Sequence, residues 1–116
     1  MTLSQTGELT ERKIRTFAEE EEYEELVAAI SLMSRLKFQS LERMMHGPRL
    51  GGLTLVCKSL GFSMTTMNAL WKLAVSRNGA TSVEVQSARK DFLAISKEIA
   101  ERVVRFWLVR QSASSI

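Results

Sequence analysis

The segment at residues 23–45, YEELVAAISLMSRLKFQSLERMM, decides the fold. Its apolar residues first recur three, four and seven positions apart, the spacing of one helix face: Tyr23, Leu26, Val27, Ile30 and Met33. A second series of this kind follows: Phe38, Leu41, Met44 and Met45. Pro48 cannot continue a helix, and Gly47 before it suits a helix end. The segment therefore predicts two amphipathic helices joined near Ser34.

Further helices are predicted on both sides of this segment, which makes the chain all-α with six or seven helices. The first spans residues 8–20 with Thr10 as a cap, and the fourth runs from Leu50 to Leu60 and stops at Gly61. The remaining three begin after caps or turns: Ser63, the Asn78-Gly79 turn before Ser82, and Ser96. Leu, Met, Ala, Glu, Lys and Arg dominate the composition, as expected of helices.

A weak internal repeat groups the middle helices. At an offset of 26 residues, seven apolar positions coincide, among them Val27 with Leu53 and Met45 with Trp71. The repeat predicts two stacked helical hairpins, sealed by the N-terminal and C-terminal helices.

Length and composition predict one domain outside the membrane. The 116 residues suffice for one core, which we place at residues 8–111, between a flexible N-terminus at 1–7 and a frayed tail at 112–116. Cys57 is the only cysteine, so no intramolecular disulfide forms. No apolar run is long enough to span a bilayer, and the polar N-terminus is unlike a signal peptide. We expect a cytoplasmic location and no membrane partner.

Charge is divided unevenly along the chain. Residues 1–25 carry a local charge of −5, and residues 26–116 carry +8. Two interpretations remain open: a basic body that binds anionic partners, or an acidic first helix beside a basic neighbour.

The last helix-like stretch, IAERVVRFWLVRQ at residues 99–111, mixes arginines with a broad apolar arc. The breadth of the arc predicts burial against two neighbouring helices, with the arginines as a rim. The same apolar excess and the six methionines also suggest that the chain pairs with a second copy, with Trp107 at the contact.

The residues offer little for catalysis. His46 and Cys57 are the only imidazole and thiol, which excludes a His-rich metal site, and the glutamates at 19–25 lack the loop and glycine of a calcium site. The HGPRLGG stretch at residues 46–52 matches no phosphate-binding loop. We therefore predict no enzymatic activity and no cofactor.

Residues 55–71, LVCKSLGFSMTTMNALW, fit the spacing of a helix-turn-helix. Cys57 supplies the small residue, Gly61 the turn, and Ser63 the cap of the second helix. This DNA-binding alternative would use these residues on the second helix: Thr65, Thr66, Asn68 and Lys72. Contacts to the DNA phosphates would come from basic residues elsewhere in the chain: Arg43, Arg49, Lys58 and Arg77. The helix itself offers only Lys72 as a base, and DNA affinity needs several phosphate contacts.

Three segments of the chain match a pattern seen in other proteins: EELVAAISLMSRLKFQSLERMM (24–45), GLTLVCKSLGFSMTTMNALWKLA (52–74) and DFLAISKEIAERVVRFWLVR (91–110). In these segments the chain resembles the C-terminal helical region of a family of uncharacterised bacterial proteins, and the resemblance extends over about residues 8–111. Its most specific part is a closing Ala-x-Arg-x-x-Arg-Phe-Trp motif: Ala100, Arg102, Arg105, Phe106 and Trp107. Phe62-Ser63-Met64 departs from the family's Leu-Ser-Trp-like corner. The family's members are typically longer, which implies a short version or one part of a larger protein.

These observations favour a non-catalytic interaction or regulatory module that binds another protein or a larger parent chain. Its expected partner surface is one of two groups: the basic Arg102, Arg105 and Arg110, or the acidic Glu19, Glu20, Glu21 and Glu22 within the cluster 19–25.

Overall fold

The structure is a computed structural model that describes residues 10–114. This part of the chain forms seven α-helices and one 3-10 turn and contains no strand. The helices are α1 (Glu11–Glu19), α2 (Tyr23–Ser34), α3 (Phe38–Met44), α4 (Leu50–Ser59), α5 (Met64–Asn78), α6 (Ser82–Ala94) and α7 (Lys97–Ser114), with the 3-10 turn at Gly47–Arg49. The all-α prediction is confirmed.

Helix α4 lies at the centre of the domain and packs against α6 and α7. Its buried residues join a single core to which each of the other described helices contributes at least one buried apolar residue. The paired glycines Gly51 and Gly52 lie where α4 meets α3 and α6, and a Cβ would fit at either position in ordinary van der Waals contact. A Cβ at Gly52 would lie 3.5 Å from the Met44 side chain, and one at Gly51 would lie 3.6 Å from the Asp91 carboxylate.

The predicted ends of α4 and α5 are confirmed, and both depend on glycine. Gly61 has φ +81° and Gly79 has φ +70°, in the left-handed region that other residues rarely adopt. After α4, the Gly61 N–H donates to the Lys58 carbonyl at 3.0 Å and the Phe62 N–H to the Cys57 carbonyl at 3.1 Å. This pair of bonds is a Schellman motif, which satisfies carbonyls that the helix end leaves free.

Three other predicted caps can be compared with the structure. The Thr10 hydroxyl accepts from the Lys13 N–H at 3.4 Å, and the Ser96 hydroxyl accepts from the Ile99 N–H at 3.2 Å, so both caps are confirmed. Ser63 stands at the predicted position before α5, but its side chain makes no cap bond to its own helix. It bonds instead to Glu11 of α1, as described below.

The predicted stack of two hairpins is only half present. Helices α2 and α3 pack against each other, whereas α5 packs chiefly against α1, and α4 chiefly against α6 and α7. The second predicted hairpin is therefore not a packed pair. The 26-residue repeat reflects helical periodicity, which sets where apolar residues lie on a helix but not which neighbour covers them.

The last helix differs from its prediction at two points. Ala100 and Val104 are buried, but Ile99 and Phe106 are exposed, so the apolar arc is covered on one side only. The prediction of burial against two neighbours is wrong for those two residues. Helix α7 also continues to Ser114, past the predicted end at Gln111. The predicted flexible N-terminus and the last two residues of the predicted tail lie outside the described residues.

Candidate partner-binding groove

A cleft of about 470 Å³ lies between the C-terminal half of α7 and the chain from the α2–α3 loop to the 3-10 turn. We call it the basic groove. Its lining residues are Leu36, Lys37, Ser40, Arg43, Met44, Arg49, Trp107, Arg110 and Gln111. Four of these side chains are cationic, and no carboxylate is among them. The groove therefore favours a negatively charged ligand.

The wall formed by the α2–α3 loop is fixed by side-chain bonds from α7. The Lys37 N–H donates to Gln111 Oε1 at 2.9 Å, and Gln111 Nε2 donates to the Arg35 carbonyl at 3.2 Å. Within the loop, the Ser31 hydroxyl donates to the Leu36 carbonyl at 2.6 Å, and the Leu36 N–H donates to the Ser34 hydroxyl at 3.2 Å. These bonds fix the α2–α3 loop against α7 within the chain itself, which reduces the ordering cost of binding a partner.

The groove combines charge with an apolar base. Leu36 is buried, and Met44 and Trp107 are half-buried against the core, while the cationic side chains are exposed. Arginine suits such a place, because its planar guanidinium forms paired bonds to a carboxylate while its stem covers apolar surface. A ligand with both carboxylates and apolar side chains matches this arrangement.

The basic character continues beyond the groove. A neighbouring cleft of about 540 Å³ is lined in part by Arg35 and Arg105, and Gln111 lines both clefts. One end of the molecule therefore gathers six cations from two distant parts of the sequence: Arg35, Lys37, Arg43, Arg49, Arg105 and Arg110.

Of the three arginines predicted as a partner surface, the structure brings two to this basic end. Arg110 lines the groove and Arg105 the neighbouring cleft, whereas Arg102 is exposed and lines neither. Sequence reasoning missed Lys37, Trp107 and Gln111 as groove residues. No local signal could have found them, because Lys37 and Gln111 are 74 positions apart and meet only through the fold.

The predicted acidic surface lies at the other end of α2. Glu19, Glu20 and Glu21 are exposed at the turn between α1 and α2, and Glu22 is half-buried beside them. A hydrogen bond with Glu20, together with nearby negative charge, raises the pKa of Glu22. Because α2 has twelve residues and a helix rises 1.5 Å per residue, the acidic turn and the basic loop are about 18 Å apart.

The corner predicted as a helix-turn-helix is covered by a glutamate. Glu11 Oε2 accepts three bonds, from the Ser63 N–H at 2.8 Å, the Ser63 hydroxyl at 2.5 Å and the Thr66 hydroxyl at 2.6 Å. Burial acts to raise the pKa of Glu11, but these bonds and the nearby Arg15 outweigh it, so the pKa is lowered. A carboxylate thus occupies the N-terminus of α5, where the helix would otherwise attract phosphate.

The residues assigned to DNA contact are divided by the fold. Thr65, Asn68 and Lys72 are exposed, but Thr66 is 0% exposed, so in this structure its side chain is not accessible to DNA. Its hydroxyl faces Glu11 because residue 66 is on the side of α5 that packs against α1.

Two of the four predicted phosphate contacts are occupied within the molecule. Lys58 Nζ donates to the Phe92 carbonyl at 2.7 Å and lies 4.2 Å from the centre of the Phe92 ring, while the Arg77 guanidinium lies 4.4 Å from that of Tyr23. The other two, Arg43 and Arg49, line the basic groove. The geometry therefore disfavours the helix-turn-helix alternative.

The structure bears on two of the candidate reactive groups, the Cys57 thiol and the possible metal ligands between residues 10 and 114. Cys57 is fully buried, and burial raises the pKa of its thiol far above the ordinary value, which suppresses the nucleophilic thiolate. Between residues 10 and 114 there is no group of three or more His, Cys, Asp or Glu side chains arranged to hold a metal ion. In the same part of the chain, no helix is both long and apolar enough to cross a membrane. The cytoplasmic location stays a prediction.

Fold and groove together define a class: an all-α domain of seven described helices with a preformed basic groove at one end. The chain belongs to the family described as "uncharacterised protein conserved in bacteria" (DUF2336), which it matches over residues 1–105. No curated protein matches the chain, and no solved structure does.

The predicted resemblance to an uncharacterised bacterial family is thereby confirmed. Its finer parts stay predictions, namely the placement in the C-terminal region of that family and the closing motif. The match ends at residue 105, so Phe106 and Trp107 of that motif lie outside it.

Proposed function

We propose that this protein is a non-catalytic interaction module whose basic groove captures an acidic segment of a partner protein or of a larger parent chain. The observation that carries the proposal is the groove itself, with Lys37, Arg43, Arg49 and Arg110 around an apolar base and no carboxylate among its lining residues. A protein segment fits better than a simple anion, because Trp107 and Met44 offer apolar contact beside the charges.

The experiment is fluorescence anisotropy of a labelled peptide that alternates glutamate with leucine, titrated with the protein at low and near-physiological salt. The test variant is Arg43→Ala/Arg49→Ala, which removes two cations from the groove. Arg12→Ala/Lys90→Ala is the matched control, because it removes the same charge from exposed positions that do not line the groove.

We expect the test variant to weaken peptide binding about tenfold or more, because each lost charge-assisted bond is worth roughly 1 kcal/mol at an exposed site. The control variant should bind within about twofold of the original chain. Equal weakening by both variants would mean that overall charge attracts the peptide, and absence of binding to the original chain would refute the proposal.

A labelled random-sequence DNA duplex in the same assay distinguishes the nucleic-acid alternative. DNA binding that falls steeply with salt and depends on Lys72 would promote the helix-turn-helix interpretation over the groove.

A further inference from the structure

The outward face of α7 carries an uncovered apolar line. Ile99, Phe106 and Val109 are 51%, 58% and 63% exposed, and among the described helices α7 alone carries three large apolar residues as exposed as these. Together with Arg102 and Ala113, they fall at spacings of three, four, three and four residues. That alternation is the seam of a helix that pairs with another helix. We call these five residues the α7 seam.

The chemistry of the seam determines which partner fits it. In a parallel pair of identical helices, Arg102 would face the partner's Arg102 in the middle of an apolar contact, which is unfavourable for two like charges. In an antiparallel pair centred on residue 104, Ile99 meets the partner's Val109, since both lie five residues from the centre. Arg102 and the partner's Phe106 likewise lie two residues from it. The seam is therefore complementary to itself in the antiparallel direction.

Arg102 is the one charged residue of the α7 seam, and in the antiparallel pair its contact with the partner's Phe106 is favourable. A guanidinium over an aromatic ring gains cation–π energy, and more of it when water is excluded. The Phe106 ring already has the Arg110 guanidinium 5.7 Å from its centre within the chain. An arginine is thus compatible with this ring, and the two-fold symmetry of the pair forms the contact twice.

We propose that the protein forms a homodimer through antiparallel pairing of α7 with α7 of a second copy. The interface goes beyond the proposed capture of an acidic segment and does not depend on it. Trp107 packs against the core and lines the basic groove, so it is not the interface aromatic that the sequence predicts; Phe106 is. Arg102, which lines neither basic cleft, belongs to the seam.

The dimer is expected to be of moderate affinity. From Ile99 to Val109 the seam spans ten residues, or about 15 Å at the rise of a helix. A contact between one pair of helices over this length is small for a protein interface, and small interfaces are typical of weak association, so we expect a dissociation constant in the micromolar range. The mass is therefore best measured between about 5 and 200 μM, a range that brackets this expectation.

The first test is sedimentation equilibrium of the original chain and two variants. The original chain should approach twice its 13.1 kDa mass as concentration rises. Phe106→Glu should raise the dissociation constant at least about tenfold, as loss of a central contact does. Leu93→Glu is the matched control, because Leu93 is 69% exposed on α6 and outside the seam, and it should dimerise normally. The proposal is overturned if the original chain has the monomer mass at every concentration. It is also overturned if Phe106→Glu leaves the dissociation constant of the dimer unchanged.

The second test fixes the direction of pairing by cross-linking under mild oxidation. Cys57 is buried, so an introduced cysteine is the reactive one. Val109→Cys alone should not form a disulfide-linked dimer, because the two copies of residue 109 lie about 15 Å apart along the antiparallel pair. A mixture of Ile99→Cys and Val109→Cys chains should form the mixed dimer. Efficient cross-linking of Val109→Cys with itself overturns the antiparallel arrangement.

Discussion

The bonds between Glu11 and α5 predict that replacing this one half-buried glutamate lowers the free energy of unfolding substantially. Glu11 lies at the start of α1, and its carboxylate accepts all three bonds from Ser63 and Thr66 on one oxygen. Glu11→Ala removes that acceptor. Ser63 is exposed, so its N–H and hydroxyl can bond to water instead. The Thr66 hydroxyl is buried, and it loses the Glu11 carboxylate as its hydrogen-bond acceptor.

The expected loss follows from these two environments. A buried hydroxyl without a partner costs about 1–3 kcal/mol. Loss of a carboxylate charge beside the positive end of the α5 helix dipole adds roughly 1 kcal/mol. Glu11→Ala should therefore lower the free energy of unfolding by about 2–4 kcal/mol, a substantial part of the stability of a domain of this size.

The assay is urea denaturation followed by circular dichroism, on a double-mutant cycle. Thr66→Val removes the hydroxyl, so in the Glu11→Ala background it should restore about 1–2 kcal/mol, because no buried donor is then unpaired. Glu19→Ala, at an exposed position on the same helix, is the control and should change stability by less than about 0.5 kcal/mol. If Glu11→Ala falls within that same margin, the bonds to α5 do not hold the two helices together.

The pH dependence gives an independent check on the same bonds. The pKa of Glu11 is lowered in the folded state from its ordinary 4.5, so the carboxylate adds stability above that value. This stability is lost as the pH falls through the lowered pKa. The stability difference between the original chain and Glu11→Gln should thus be constant near neutral pH and shrink below pH 4.5. A difference that grows in acid would contradict the sign of the shift.

Three further predictions concern the core and the turns. Trp71 is buried and its indole N–H has no acceptor among the residues described, so Trp71→Phe should cost far less in urea denaturation than Trp71→Ala, which should lose about 3–5 kcal/mol. Gly61→Ala should lower stability by about 1–2 kcal/mol in thermal unfolding because of its positive φ, whereas Gly52→Ala inside α4 should be neutral or stabilise by up to about 1 kcal/mol. The Cys57 thiol should be inert to Ellman's reagent in the folded protein and react in guanidinium chloride, and prompt reaction of the native chain would contradict its burial.

Local sequence patterns were enough to place the helices. The apolar spacing of residues 23–34 and the glycine at position 61 act within one or two turns of the chain, and the structure confirms both. The same local patterns do not predict that Ile99 and Phe106 are exposed. A helical wheel places these residues and Val104 in one broad apolar arc, but it does not show how many neighbouring helices are present to cover the whole arc.

The candidate site escaped sequence reasoning for a related physical reason. The sequence predicts Arg43 and Arg49 as anion contacts, but for DNA, because nothing local indicates that α7 lies beside them. The Gln111 bonds to the α2–α3 loop and the Glu11 bonds to α5 join residues more than 50 positions apart. Such contacts depend on the packing of the whole chain, which no short motif encodes.

The central claim is that the basic groove is where a partner binds, and amide chemical-shift mapping tests it most directly. The ¹⁵N-labelled protein would be titrated with the glutamate–leucine peptide while the amide signals of all helices are followed. The groove predicts progressive shifts confined to residues 35–49 and 105–112. Shifts centred instead on Thr65, Asn68 and Lys72, or spread evenly over all exposed basic residues, would contradict it.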